Sequence, residues 1–407
     1  MLGPAGRTVI GRIPKGAPMS VVAPAGFVAA GVACGIKQDG AADLALVATD
    51  DGAPVAAAGV FTQNLVVAAP VTVSRRHLAA TGGQAAAVVL SSGNANAGTG
   101  ARGEADAERM CALVAAGVGT TPESVLVCST GLIGYELPMD RLATGIPALA
   151  AARGAGAAHG AAAAEAIMTT DTRCKQTVVR GDGFVVGGMA KGAAMLAPNM
   201  ATMLAVLTTD ALVDPDALRN VLHVGVADSF NAMTIDGCTS TNDTVLLLAN
   251  GRAGRPDPDT FAAAVAEACF DLASQMVGDA EGHTKVVTVR VTGAASDDDA
   301  RRAARKVAES QLVKCSWFGG DPYWGRIVSD LGTAGVKLDP GALTIAYGGT
   351  VISRGCVAVD HDAAALADHM AGEHLDLHCD LGVGDGAARV LTNDLTYGYI
   401  DENKGTS

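Results

Sequence analysis

The segment Met189–Asp210, MAKGAAMLAPNMATMLAVLTTD, decides how the rest of the chain is interpreted. A tight loop containing Pro198 and Asn199 leads directly into the apolar run Met203–Thr208, which has the composition of a buried strand. Thr202 stands where this loop becomes the strand. The pattern therefore predicts a buried strand that begins at Thr202.

A threonine inside a chain is too weakly acidic to attack a carbonyl at pH 7, but an N-terminal threonine carries its own base. An α-amine has a pKa of about 7.7–8.0, so its neutral fraction can accept the hydroxyl proton without a histidine. Cleavage between Ala201 and Thr202 would create this N-terminus, and the Thr202 hydroxyl could make the cut by attacking the Ala201 carbonyl. From the residues alone, a threonine at a strand start is more often an ordinary β-former.

Helical and strand patterns alternate along the 407 residues, with hairpins among them. This order predicts an α+β fold, or a layered α/β fold, with mixed sheets and helices. The Ala/Gly-rich stretch 151–164 is predicted to be a surface linker or a mobile segment. The predicted strands are 85–90, 124–127, 203–208, 286–291 and 388–391, the hairpins are 176–189 and 343–353, and the helices are 104–117, 141–153, 161–168, 215–231, 260–277, 296 onward and 363–370.

Composition narrows the classes of function. Hydrophobic residues make up 49% of the chain and charged residues 17%, which is typical of a chain that folds. The net charge of −13 disfavours binding to nucleic acids or to anionic membranes. The nine cysteines are scattered without a C-x-x-C pair, which favours reduced thiols in a cytoplasmic protein. The N-terminal segment lacks the apolar region of a secretory signal, and no stretch is typical of a membrane helix.

Several long motifs, in order along 23–403, resemble those of the glutamate N-acetyltransferases, also called ornithine acetyltransferases, of arginine biosynthesis. The first is the segment around Thr202. The others are SGNANAGTG (92–100), STGLIG (129–134), AIMTTDT (166–172), IDGCTSTNDT (235–244), DAEGHTK (279–285), FGGDPYWGR (318–326) and DLGVGDGAARV (380–390).

The resemblance implies that Thr202 is the nucleophile and that the chain cleaves itself into an α chain, 1–201, and a β chain, 202–407. It implies the ornithine acetyltransferase-type fold and an α2β2 assembly. The implied reaction moves the acetyl group of N-acetyl-L-ornithine to L-glutamate through an acetyl-threonine. Members of the family differ in whether acetyl-CoA also serves as a donor, and no residue of this sequence decides between the two cases. It implies no cofactor and no metal.

A tetrahedral acyl-transfer intermediate needs hydrogen-bond donors at its oxyanion, worth roughly 3–4 kcal/mol each. The turn expected after strand 124–127 offers the Thr130 hydroxyl and the Gly131 N–H. An STG sequence alone is more often an ordinary turn, but in the resembled family this pair forms the oxyanion hole.

The resemblance also assigns substrate contacts. Lys191 is a carboxylate contact, Thr169 a substrate-binding threonine, and Glu281 is suited to an α-ammonium group. Without the family, these would be a solvated lysine, a helix-ending hydroxyl and a surface carboxylate. Asn403 matches a substrate-contacting asparagine in the C-terminal tail, where Ser407 is the last candidate contact. The tail here is one residue shorter than usual and lacks the family's tyrosine.

His374, His378 and Cys379 have the spacing of a metal site, and in a strand the two histidines would share one face. No third ligand for these two histidines stands nearby, so ordinary strand residues are the preferred interpretation. His283 and Tyr323 occupy positions where the family usually has other residues, and packing is the expected explanation.

Three alternatives stay open. One is a paralogue with the same mechanism in secondary metabolism, and another is a self-cleaving aminopeptidase or amidase with water as acceptor. The third is a non-enzymatic binding protein, against which the intact Ala201-Thr202 pair argues.

Overall fold

The computed structural model of the protein describes residues 20–195 and 203–405. The chain divides into two compact units. Within the described residues, the N-terminal unit comprises 20–192, 203–231 and 239–276, and the C-terminal unit comprises 193–195, 232–238 and 277–405.

The N-terminal unit is built from mixed strands and helices. Its strands are β1 (Phe27–Val32), β2 (Leu44–Thr49), β3 (Val55–Phe61), β4 (Gln84–Ala85), β5 (Ala87–Asn94), β6 (Val125–Leu132), β7 (Lys175–Arg180), β8 (Val185–Lys191), β9 (Leu204–Ala211) and β10 (Thr244–Gly254). Its helices are α1 (Ala69–Ala80), α2 (Gly100–Val118), α3 (Met139–Ala151), α4 (Ala157–Ala166), α5 (Pro215–Ala227) and α6 (Pro258–Val277).

Two sheets of the N-terminal unit share a core. The first sheet has the order β1-β2-β5-β6 and the second the order β4-β3-β10-β9-β8-β7. Side chains of both sheets, such as Phe27, Leu126 and Leu246, are buried in one apolar cluster, while α2 and α3 cover the other face of the first sheet. Strand β9 pairs with β8 and β10 and is buried at every position, which explains the apolar run 204–207 in its first half.

The C-terminal unit is one sheet with helices. Its strands are β11 (Val286–Ala294), β12 (Thr344–Tyr347), β13 (Thr350–Arg354), β14 (Val357–Ala358), β15 (His374–Asp380) and β16 (Gly386–Asn393). Its helices are α7 (Asp297–Ala308), α8 (Gln311–Phe318), α9 (Trp324–Leu331), α10 (Ala363–Ala371) and α11 (Tyr397–Asn403).

Alternating residues of the C-terminal strands form the core of this unit. The strands pair in the order β14-β13-β12-β15-β11-β16. Val287, Val289 and Val291 of β11 are fully buried, and they join an apolar cluster that includes Trp317 of α8. The Trp317 indole N–H is satisfied by the Tyr347 hydroxyl at 2.8 Å.

The predicted α+β class, with mixed sheets and helices, is confirmed, and the predicted strands, hairpins and helices are present with shifted ends. The prediction of a linker at 151–164 is wrong. Most of that stretch lies in α4, whose Ala163 and Ala164 are fully buried against β1. The approach is so close that a Cβ on Gly31 would lie 2.0 Å from the Ala162 carbonyl oxygen. The alanines are therefore a packing surface and not a sign of mobility.

Candidate functional site

Thr130 and Gly131 lie inside strand β6, and not in a turn after it as predicted. The strand continues because β5 and β6 pair in parallel up to Gly93 and Gly131, where the register shifts. Gly131 has a φ of +129°, and a Cβ there would lie 2.3 Å from the Gly93 carbonyl carbon. Only glycine fits this close approach. Gly131 is itself exposed, whereas the neighbouring Thr130 is buried.

Lys191 at the end of β8 brings three predicted site residues together. Its Nζ donates to the Thr169 hydroxyl at 2.6 Å and to the Thr130 hydroxyl at 3.3 Å. Only 2% of Lys191 is exposed, so the interpretation as a solvated lysine is wrong. Because the Thr130 oxygen accepts from an ammonium group, its own O–H can be donated to another acceptor.

Asp171 organises this cluster, and sequence reasoning missed it. Its carboxylate accepts from Lys175 Nζ at 2.5 Å, from Gly192 N at 2.7 Å and from Thr169 N at 3.0 Å, and it lies 3.9 Å from Lys191 Nζ. Burial opposes its ionisation, but the two lysines outweigh that effect and lower the pKa of Asp171 to about 2. The available signal was its position in the AIMTTDT motif, two residues after Thr169 and four before Lys175.

The Ser-Thr-Asn-Asp sequence at 240–243 supplies two more buried side chains, those of Asn242 and Asp243. Asn242 Nδ2 donates to the Ala95 carbonyl at 2.6 Å and to the Ser129 carbonyl at 2.9 Å, which ties together the SGNAN and STG segments. Asp243 Oδ1 accepts from the backbone N–H of Met203 at 2.9 Å. Burial raises the pKa of Asp243 well above the ordinary range of a carboxyl, against the opposing hydrogen bond from Met203 and the charge of Lys191.

In the C-terminal unit, Glu281 and Asn403 are in direct contact. Asn403 Nδ2 donates to Glu281 Oε2 at 2.6 Å and to the Tyr399 carbonyl at 2.9 Å. Glu281 is 7% exposed, so the interpretation as a surface carboxylate is wrong. The two predicted substrate residues of this unit are therefore neighbours.

Comparison with known proteins identifies the family. The model of the ArgJ family matches residues 28–405. The chain is 49% identical over 394 residues to the arginine biosynthesis bifunctional protein ArgJ of Mycobacterium leprae, covering 95% of each chain. It is 45% identical over 390 residues to the protein of the same name from Thermobifida fusca, covering 96% of this chain and all of that one. The chain belongs to the ArgJ family.

Two solved structures are also similar. One is the ornithine acetyltransferase of Mycobacterium tuberculosis complexed with ornithine, 48% identical, which covers 44% of this chain and 95% of its own with a TM-score of 0.43. The other is the ArgJ protein of Bacillus halodurans, 33% identical, which covers 49% and 96% with a TM-score of 0.47. The predicted family is thus confirmed by the sequence comparisons over nearly the whole chain.

Some predictions about the ArgJ-family site fall on residues that the structure does not describe. Ala201 and Thr202 lie between the two described ranges, and Ser407 lies beyond the second. Cleavage after Ala201, the division into 1–201 and 202–407, and the roles of these residues stay predictions.

The remaining sequence candidates have ordinary surroundings. His378 Nε2 contacts the Thr292 hydroxyl at 2.8 Å, and His283 Nδ1 contacts the Ala280 carbonyl at 2.6 Å. Tyr323 is exposed and rests against Trp324. Within 20–195 and 203–405, no group of three or more His, Cys, Asp or Glu side chains could hold a metal ion. Over the same residues, no helix has the length and apolarity needed to cross a membrane.

Proposed function

We propose that this ArgJ-family chain transfers the acetyl group of N2-acetyl-L-ornithine to L-glutamate, giving L-ornithine and N-acetyl-L-glutamate in arginine biosynthesis. Family membership along 28–405 supports the reaction class, and the similar ornithine acetyltransferase was solved with ornithine. The observation that carries the proposal is the buried cluster in which Lys191 Nζ contacts the hydroxyls of Thr130 and Thr169.

In the first half-reaction, the Thr202 hydroxyl attacks the acetyl carbonyl of acetylornithine. Its proton passes to the α-amine of Thr202 and then to the leaving nitrogen. The developing oxyanion accepts from the Thr130 hydroxyl and the Gly131 N–H. Two structural features support this role. Lys191 donates to the Thr130 oxygen, so the Thr130 O–H can be donated to another acceptor, and Gly131 is exposed.

In the second half-reaction, the neutral amine of glutamate attacks the acetyl-threonine ester. The new C–N bond forms, the C–O bond to Thr202 breaks, and the amine proton returns to the Thr202 hydroxyl. The sequence of steps is a ping-pong exchange, because ornithine leaves before glutamate reacts.

The substrates carry charges that suit the predicted contacts. Both have an α-carboxylate, for which Lys191, held beside Thr169, is the proposed partner. The α-nitrogen of N2-acetylornithine is an uncharged amide, so the δ-ammonium is the only cation available to Glu281. We therefore assign Glu281, supported by Asn403, to the side-chain ammonium and not to an α-ammonium as the sequence suggested.

The same proposal includes the self-cleavage of the chain, its assembly and its cellular location. The chain cleaves itself between Ala201 and Thr202, and the 1–201 and 202–407 chains assemble as α2β2. Acetyl-CoA is an alternative acetyl donor. A cytoplasmic location is supported by nine cysteines that are all in the described part of the chain and all free.

The intact mass of the purified protein tests the maturation step. Two fragments that meet at Ala201–Thr202 are expected, and a single chain is expected for Thr202→Ala. Wild-type protein that stays uncut and still transfers acetyl groups would exclude the N-terminal amine as the base.

An acceptor assay tests the reaction and separates the alternatives. Wild-type protein should release ornithine from acetylornithine and form N-acetylglutamate in equal amounts. Release of acetate without glutamate would identify the amidase, and a strong preference for another acceptor would identify the secondary-metabolism paralogue. Absence of both transfer and hydrolysis would leave the binding protein.

A further inference from the structure

The C-terminal unit contains a cavity of about 180 Å³ with both acidic and basic walls. It is formed where β16 ends beside α8 and α11. Glu281, the proposed ammonium contact, is one of its walls. The other lining residues are Ile235, Asp236, Glu309, Gln311, Lys314, Asn393, Asp394, Leu395 and Tyr399.

Lys314 of α8 is a buried cation in the wall of this cavity. It is 5% exposed, and its Nζ donates to the Asn393 carbonyl at 2.6 Å and to the Thr392 hydroxyl at 3.0 Å. Among residues 20–195 and 203–405, no carboxylate forms an ion pair with it, and no acceptor takes its third hydrogen. Asp236, Glu309 and Asp394 line the same cavity and act on the Lys314 charge without forming an ion pair with it. Burial outweighs their effect and lowers the pKa of Lys314, so an anion that hydrogen-bonds to Nζ would stabilise the buried ammonium.

Asn393 provides a second polar atom in the same wall that lacks a partner. Its Nδ2 donates to the carbonyls of Val277, at 2.9 Å, and Lys285, at 3.1 Å, which fixes the orientation of the amide. Its Oδ1 is buried and accepts no hydrogen bond from the described part of the protein. A buried amide oxygen is costly to leave unpaired, so this atom is a place for a donor from a ligand or a water molecule.

We propose that this cavity binds the side-chain end of the amino-acid substrates, with Lys314 holding the γ-carboxylate of glutamate and Glu281 with Asn393 Oδ1 holding the ammonium of ornithine. The inference rests on the proposed function. The proposed reaction requires one enzyme to bind ornithine and glutamate in turn, and these two amino acids differ mainly in the charge of the side-chain end. Lys314 is then a specificity-determining residue for the acyl acceptor.

The test measures the two half-reactions separately on the full-length, self-processed enzyme. Acetyl-enzyme formation from acetylornithine is followed by the mass of one added acetyl group. Acetyl transfer is then measured to glutamate and to 2-aminobutyrate, which has the same α-amine but no γ-carboxylate. The variants are Lys314→Met and Lys314→Gln, and the control is Lys337→Met, the same change at an exposed lysine of the same unit.

In both Lys314 variants, kcat/KM for glutamate should fall at least about tenfold, while transfer to 2-aminobutyrate and acetylation by acetylornithine change less than about threefold. Lys337→Met should behave as wild type. Equal losses with both acceptors and the donor, or an unchanged preference for glutamate, would overturn the inference. Lys314→Gln retains a donor for the Asn393 carbonyl, so it remains informative where Lys314→Met does not fold. Wild-type enzyme that forms no acetyl-enzyme would instead refute the proposed function itself.

Discussion

Asp171→Asn removes one negative charge from the buried cluster and keeps the size of the side chain. The Asp171 carboxylate is enclosed by Lys175 Nζ at 2.5 Å, by Lys191 Nζ at 3.9 Å and by two backbone N–H groups. An asparagine retains one carbonyl oxygen as an acceptor but cannot neutralise either ammonium. The variant therefore leaves two buried lysines without their shared counter-ion.

The magnitude follows from the ionisation of the carboxylate. Its pKa falls from 3.8 to about 2 in the folded protein, which corresponds to about 2.5 kcal/mol of stabilisation at about 1.4 kcal/mol per pKa unit. Removing one partner of a buried ion pair costs about 3–5 kcal/mol, because the other charge stays buried. We expect the free energy of unfolding of Asp171→Asn to be about 3 kcal/mol below that of the wild type at pH 7.

The assay is urea unfolding of both proteins, with Asp216→Asn as the control. Asp216 pairs with Arg219 at 2.7 Å on the surface, so its loss should cost no more than about 0.5 kcal/mol. The folded-state pKa of Asp171 lies below its unfolded value. Its stabilisation is therefore complete above about pH 4 and disappears as the pH falls through about 2. A loss below about 1 kcal/mol at pH 7, or a difference that does not shrink with acid, would refute the assigned ion pairs.

Three further predictions concern other parts of the molecule. Gly131→Ala should reduce the rate of acetyl-enzyme formation by about a hundredfold or prevent folding, because its Cβ would collide with β5. The control is Gly134→Ala, which also has a positive φ but lies in open space and should retain activity. Burial lowers the pKa of Lys314 to about 8 in the folded protein, from 10.5. The unfolded state therefore binds more protons than the folded state between these pH values, and stability rises with pH there. In urea titrations, the free energy of unfolding of the wild type should rise by about 2 kcal/mol relative to that of Lys314→Met between about pH 7.5 and about pH 10. Asn242→Ala removes the side-chain donor that bridges two carbonyls, those of Ala95 and Ser129, and should lower the free energy of unfolding by about 2 kcal/mol in urea titrations. A change below about 0.5 kcal/mol would contradict the bridging role.

Much of the fold is predictable from local patterns. The uninterrupted apolar run after Thr202 is a strand buried on both faces, and the Ser-Asp-Asp-Asp sequence at 296–299 begins a helix whose first turn is capped by Ser296 Oγ. These elements are encoded by neighbouring residues, so composition and periodicity suffice to find them.

The errors arose where a distant segment determines the structure. The stretch 151–164 has the small side chains of a linker, but they allow α4 to pack directly on β1. The STG sequence has the composition of a turn, but pairing of Gly131 with Gly93 of β5 extends the strand through it. In both cases a tertiary contact outweighs the local preference.

For the site, the motifs of the amino-acid sequence were enough to identify the family. They also predict Thr202 as the nucleophile, Thr130 as an oxyanion donor, and Lys191 and Glu281 as substrate contacts. The tertiary structure alone revealed Asp171 as the partner of Lys191 and Lys314 as a buried cation facing a cavity. The physical reason is that burial and ionisation depend on which groups surround a side chain. For Lys191 those groups include Thr130, which lies 61 residues away along the chain.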